Sequence, residues 1–343
     1  MTASRRTKLI LSAGLIPVVF LLAASAGGMA WFHFANPAES CVSCHEMSSM
    51  HSAWTSSAHR TLHCRNCHGG SLTLDVHALQ AHLNRVVQHF RRSPDKPIRL
   101  SEKQVVAMQE SCRACHPQSF ADWQSSRHAA TYANIFLDAK HNQTEQMAPD
   151  CLRCHGMFFE GHIEELVKPL ATKGPWNLID PAKASQPVIP CLACHQVHSA
   201  TAGFASASLY VRREHESIAD DKLPVIPMVQ GARKVDVSPD PRQRLCVQCH
   251  SANAFRQTGT SDDRTPTGVH EGLSCLDCHS SHTNSAKASC ATCHPAFSNC
   301  GINVELMDTS FRSAGSKHNI HTMACGDCHN GQRPKAGSHK ATP

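Results

Sequence analysis

The chain has 343 residues, 26 of them histidine and 19 cysteine, while Phe, Trp and Tyr together make only 5%. It is long enough to bury a sizeable apolar core but poor in the residues that build one, so something other than side chains must fill the interior. Its formal charge of +6 comes with no basic patch interleaved with aromatics, which argues against nucleic-acid recognition.

Arg5, Arg6 and Lys8 precede a mostly apolar run over residues 9–34, interrupted by Ser12, Pro17, Ser25 and His33. The run is long enough to span a bilayer. The flanking positive charges predict a cytoplasmic N-terminus, with everything after Trp31 on the other side. Trp31 and Phe32 sit where an interfacial aromatic anchor belongs. Ala24-Ser25-Ala26 also matches a small-residue cleavage site, but the apolar run continues past it, which favours an uncleaved anchor.

Next comes Cys41-Val-Ser-Cys44-His45, the first of nine Cys-x-x-Cys-His pentapeptides. The others pair Cys64 with Cys67, Cys112 with Cys115, Cys151 with Cys154 and Cys191 with Cys194. They continue with Cys246 and Cys249, Cys275 and Cys278, Cys290 and Cys293, and Cys325 and Cys328. Each pentapeptide reads as a c-type haem attachment site, with both thiols forming thioethers to one macrocycle. The histidine that follows then serves as proximal iron ligand: His45, His68, His116, His155, His195, His250, His279, His294 and His329. Zinc half-sites or redox cysteine pairs would not need a histidine directly after the second cysteine nine times out of nine. Eighteen cysteines are used, leaving Cys300 as an inert thiol.

Nine covalent haem c groups leave roughly 34 residues around each after the N-terminal run, so the haems must be the core. The expected fold is a multihaem c-type cytochrome. Short α-helices and loops wrap around a haem chain, with little or no β and one N-terminal transmembrane helix. Propionates would turn the charge to about −3 with ferric and about −12 with ferrous iron. Covalent attachment and the cysteine usage place the chain outside the cytoplasm.

Spacings between first cysteines run 23, 48, 39, 40, 55, 29, 15 and 35, so there is no fixed repeat period. One local repeat exists. Trp54-Thr-Ser-Ser-Ala-His59 follows motif one and Trp123-Gln-Ser-Ser-Arg-His128 follows motif three, which marks His59 and His128 as distal ligands. Leu72, Leu79, Leu83, Val86 and Phe90 predict a helix over 72–90, stopped by Pro94. His82 and His89 share one side of it and are ligand candidates, whereas His77 falls towards the other. A second short helix is expected over 101–110. Residues 169–190 and 223–243, rich in Pro, Lys and Asp, read as linkers. The expected domains are an anchor over 1–38, a four-haem module over 39–168 and a five-haem module over 169–343.

Further along, His198 follows motif five and His282 motif seven at the same offset; His270 precedes Cys275 as His59 precedes Cys64; His318 and His321 precede Cys325. These offsets suggest bis-histidine ligation. Seventeen histidines lie outside the motifs and eight or nine are needed. His33, His51, His63, His141, His162, His215 and His339 share no offset and read as surface or supporting residues, with His162 first in line for promotion.

The order of anchor, Cys41-x-x-Cys44-His45-x-Met47, Ser57-x-His59 and Cys64-x-x-Cys67-His68-Gly69 resembles the NapC/NirT/NrfH family of membrane-anchored tetrahaem quinol dehydrogenases, over roughly residues 1–165. The resemblance implies a first haem at the membrane surface with Met47 as its ligand, Met50 being the local competitor. The family places a lysine and an acidic residue near the quinol; the corresponding helix here carries Asp75, His77, Gln80, His82 and His89 but no lysine. Either histidines accept the quinol protons, or quinol is not the substrate. Residues 190–343 resemble periplasmic pentahaem and decahaem electron carriers, whose Cys-x-x-Cys-His-x-x-His pattern matches His195 with His198 and His279 with His282.

The expected function is electron transfer from membrane menaquinol or ubiquinol to a periplasmic redox partner protein. The chain would be a single-pass protein of the inner membrane with its haems in the periplasm. The alternatives are a periplasmic conduit without quinol chemistry, and a terminal reductase of a nitrogen or sulfur oxyanion. The last would need an open or lysine-ligated iron, and no Cys-x-x-Cys-Lys occurs.

Overall fold

The computed structural model describes residues 5–34, 42, 45–68, 99–142, 147–169, 174, 176–198, 207–251, 264–283, 286, 290–294, 319–324 and 326–327. The expected helix over 72–90 lies outside them. The chain forms two compact units: Met1–Arg99 with Val197–Phe204, and Leu100–Gln196 with Ala205–Pro343.

The first unit opens with α1, Arg5–Phe34, which continues through Pro17. Thirty residues give a rod about 45 Å long. Leu15, Ile16, Val18, Val19, Phe20, Leu21 and Leu22 are all at least half exposed and point in every direction around it. A helix apolar on all sides has no polar face to give to water. Among the described residues no helix is long and apolar enough to be counted as crossing a membrane; the described side chains of α1 lie only between Leu15 and Trp31. After a 3-10 turn over His45–Met47 come α2, Ser48–Thr55, and α3, Cys64–His68.

The second unit begins with α4, Glu102–Cys115. It starts where Ser101 and Gln104 cap each other's backbone, and it buries Val105 and Gln109. His116 ends it, and Pro117 at the first position starts α5, Pro117–Ser125, at once. Short helices follow: α6 Tyr132–Phe136, α7 Ala139–Asn142, α8 Cys151–Cys154 and α9 Ile163–Leu166. Later come α10 Pro241–His250, α11 Cys275–Cys278 and α12 Cys290–Cys293. Among the described residues the strands pair as three two-stranded antiparallel hairpins. They are β1 Val167–Lys168 with β2 Asn177–Leu178, β3 Ser208–Val211 with β4 Glu216–Ala219, and β5 Met228–Gln230 with β6 Arg233–Val235. No strand among them exceeds four residues, so the expectation of helices and loops with little β matches the described chain.

The described parts of the two expected linkers are instead structured. Trp176, Leu178 and Val188 are buried in one apolar cluster with Tyr132, Phe136, Leu152, Phe159, Ile163, Leu166 and Val167. That cluster lies on both sides of residue 169. Leu223 joins a second cluster with Met157, Ala193 and Leu209, and Met228 packs with Val235 across the third hairpin. Pro and Lys content suggested linkers there, but spaced apolar residues decided the outcome: each hairpin needs only one or two to seal a small core.

Inside the first cluster sits a polar network. The Tyr132 hydroxyl donates to Glu102 Oε1 at 2.6 Å, and Lys183 pairs with Glu102 while lying over the Tyr132 and Phe159 rings. The nearly buried carboxylate of Glu102 is therefore matched by a cation and a hydroxyl donor.

Candidate haem-binding sites

The described motifs share one local geometry. The histidine N–H of each of five motifs donates to the carbonyl of its first cysteine: His116 to Cys112, His155 to Cys151, His195 to Cys191, His279 to Cys275 and His294 to Cys290, at 2.7–3.1 Å. Each motif is thus one helical turn, and cysteines three apart lie on the same face of it. In three motifs an intervening residue takes the opposite face and is buried: Leu152 at 1%, Ala193 at 0% and Val247 at 6% exposure. Leu152 and Ala193 belong to the first and second apolar clusters, so the core packs against those two turns. The described motif cysteines carry no disulfide. Among the described residues no three His, Cys, Asp or Glu side chains converge as a metal cluster of the zinc kind.

Among the described residues five pairs of histidine rings face each other. They are His68 with His198 at 5.9 Å between ring centres, His128 with His250 at 6.1 Å, and His195 with His282 at 5.9 Å. The others are His270 with His294 and His279 with His321, both at 6.1 Å. Every pair joins one motif histidine to one outside the motifs. The separation barely varies while the angle between the rings runs from 8° to 88°. Directly packed rings in this chain vary more, 4.0 Å for Phe158 and Tyr210 against 6.1 Å for Tyr132 and Phe136, so the constancy over five pairs is what marks the histidines. The His279 and His321 rings are nearly parallel yet 6.1 Å apart, which leaves room for an atom between them. A metal–imidazole bond of about 2.0 Å, plus about 1.1 Å from nitrogen to ring centre, spans about 6.2 Å when taken on both sides. The donor sets therefore fit an iron held between two imidazoles.

Protonation agrees with this. Burial pushes His128, His195, His198 and His279 below the ordinary histidine value. His279 and His282 lower His128 further, His282 and His116 lower His195, and His68 and His59 lower His198. A neutral imidazole is the form that binds metal.

The partners are interleaved along the sequence. His282, after motif seven, faces the motif-five histidine, and His128, after motif three, faces that of motif six. His270, before motif seven, faces that of motif eight. Sulfurs also meet between motifs: Cys112 with Cys191, Cys154 with Cys249 and Cys246 with Cys275. Each hydrogen-bond contact raises one thiol of its pair, namely Cys112, Cys249 and Cys275, and burial adds to it. Burial pushes Cys194 up to about 12. The attachment edges of motifs three and five, four and six, and six and seven are thus neighbours. Residues 268–282 form a hub, supplying rings to three of the pairs and a sulfur contact to motif six.

The two copies of Trp-x-Ser-Ser-x-His take the same shape. The second serine is buried in each, at 2% for Ser57 and 9% for Ser126. Its N–H donates to the tryptophan carbonyl at 2.9 Å, and its hydroxyl accepts the histidine N–H at 3.1 Å. His59 is therefore presented by the same turn as His128. The serines were visible in the repeat, but the sequence reading assigned them no role. Nor did it foresee the Ile320 carbonyl, 3.0 Å from His270 Nδ1, because nothing in the sequence announces a carbonyl acceptor.

Met47 ends the 3-10 turn that begins at His45, and is half-buried. His162 is exposed at the start of α9, where its N–H bonds Glu165. His51 packs on Trp54 at 5.4 Å. His116 lies between α4 and α5. Cys41, Cys44, His82, His89, Cys300, His318, Cys325, Cys328 and His329 lie outside the described residues, as does the His45 side chain.

The turns and ring pairs define a covalent-haem protein, and the comparisons agree. Residues 111–173 match the family model for cytochrome c554 and c-prime, and residues 233–295 match that for cytochrome c7 and related cytochrome c. Together these segments make a little over a third of the chain, and residues 1–110 fall outside both. No characterised protein and no solved structure matches. The protein is a multihaem c-type cytochrome, and such domains carry covalently bound haem c and transfer electrons.

Proposed function

We propose that the chain holds nine haem c groups and carries electrons from membrane quinol to a periplasmic redox partner, anchored in the inner membrane by α1. The observation that carries the electron-transfer reading is the set of five histidine pairs at one separation, each reaching from one motif to another segment. Bound haem supplies one-electron iron chemistry. The chain's part is to hold, space and shield. His279 and His282 are three residues apart, so their Cα atoms lie within about 11 Å, and they belong to different pairs. The two imidazoles of each pair would hold a haem iron between them and leave no place for a substrate there, which weighs against terminal reduction at these five sites.

The anchor is supported by the length of α1 and its apolar side chains on every side. The quinol end rests on the Cys-His-x-Met element beside it, with Met47 as the candidate ligand. The test is reduction of the purified, haem-loaded protein by a reduced quinol analogue under anaerobic conditions. Appearance of the ferrous haem spectrum supports the reading. No reduction by quinol, with full reduction by dithionite, removes the quinol end and leaves the conduit.

A further inference from the structure

Two short segments of the second unit carry the partner rings of adjacent sites. Residues 267–270 end in His270, which faces His294, and residues 320–323 contain His321, which faces His279. The segments are laced together. The Thr267 N–H donates to the His321 carbonyl at 2.6 Å, and the Val269 N–H to the Met323 carbonyl at 2.9 Å. His270 Nδ1 lies 3.0 Å from the Ile320 carbonyl oxygen. A carbonyl can only accept, so Nδ1 carries the proton and Nε2 keeps the lone pair a metal needs. The His321 N–H is itself fixed by Asn319 Oδ1 at 3.0 Å.

Gly268 makes this pairing possible. Its φ is +68°, and a Cβ built there would stand 2.1 Å from the Met323 carbonyl oxygen. The obstacle is backbone, so no rotamer relieves it. Thr267 and Met323 are buried at 2% and 8% exposure, which gives the two segments no room to separate without exposing core.

We propose that this backbone clip is a single positioning device for two distal ligands, so that His270 and His321 are set together rather than independently. The proposal rests on the reading of the ring pairs as axial ligands. Spreading the clip at Gly268 displaces both rings, whereas removing one imidazole affects one iron.

The test counts high-spin ferric iron by electron paramagnetic resonance in the haem-loaded full chain, with far-UV circular dichroism and a haem count on the same samples. His270→Ala and His321→Ala are each expected to add about one high-spin iron per chain, and Gly268→Ala about two. Val269→Pro deletes one clip bond at a half-exposed position and serves if Gly268→Ala fails to fold; it too should raise both sites. A loaded, folded Gly268→Ala or Val269→Pro protein with no new high-spin iron, or with one, overturns the clip while the ligands stand. If the two single-histidine variants themselves stay fully low-spin, the ligand reading falls and the clip with it.

Discussion

Leu152 is buried behind the motif-four turn, and replacing it tests the idea that the apolar core grips this motif from behind. It is 1% exposed and packs in the cluster of Tyr132, Phe136, Phe159, Ile163 and their neighbours. Leu152→Ala removes three buried carbons, worth about 2.4 kcal/mol in transfer alone. The cavity adds to this. Gly156 lies close on one side, since a Cβ built there would stand 3.0 Å from Leu152 Cδ2; its φ of +131° admits no larger residue to fill the gap. The loss should reach about 3–5 kcal/mol. The control is Arg113→Ala, at the same place in motif three, where the side chain is 59% exposed and paired with Glu110; about 0.2–1 kcal/mol is expected. Guanidinium unfolding of both loaded variants, followed by circular dichroism, reads the difference. A Leu152→Ala loss below about 1 kcal/mol, level with the control, would refute the claim that this side chain fixes the turn.

Tyr132→Phe deletes the hydroxyl that donates to Glu102 at 2.6 Å and should cost about 1.5–3 kcal/mol in the same assay, since the acceptor is charged and nearly buried. Ser126→Ala removes the acceptor of the His128 N–H; about 1 kcal/mol of stability should go, and the His250 site should gain a high-spin fraction visible by electron paramagnetic resonance. The Asp240 carboxyl is held below its ordinary value by Arg242, with help from the Arg242 N–H and Ser274. A depressed carboxylate stabilises the fold above its ordinary value of 3.8, and this is lost as pH falls through the lower folded value. Asp240→Asn should therefore melt lower than the parent at neutral pH, with the gap closing as pH drops below about 4.

The sequence made motif positions legible because thioether chemistry fixes residue types at fixed spacing, whatever the fold around them. His128, His198, His270, His282 and His321 stood out by offset from a motif, and each stands opposite a motif ring. Which ring faced which was not legible. His128 reaches a histidine 122 positions later, His250, and no local pattern encodes a separation of that size. The misread linkers have the opposite cause. Composition over 169–190 and 223–243 is that of loops, but Trp176, Leu178, Val188, Met228 and Val235 are buried, and a few well-placed apolar residues outweigh average polarity. The roles of Gly268 and the Ile320 carbonyl depend on two backbones meeting, which becomes visible only in three dimensions.

The interleaving of ligands bears on how such a thin protein shell stays folded. Its largest described apolar cluster has ten buried residues, modest for a chain of 343. If each iron is gripped by two segments distant in sequence, every ligated haem closes a loop and lowers the entropy of the open chain, as a crosslink does. The His128–His250 pair closes the longest loop of the five described except His68–His198. Stability and conduction then have a common origin. The same imidazole pairs that set the spacing of the sites also tie distant segments together, so loss of a distal ligand in the hub over 268–282 should loosen the fold more than loss of an exposed motif neighbour such as Arg113.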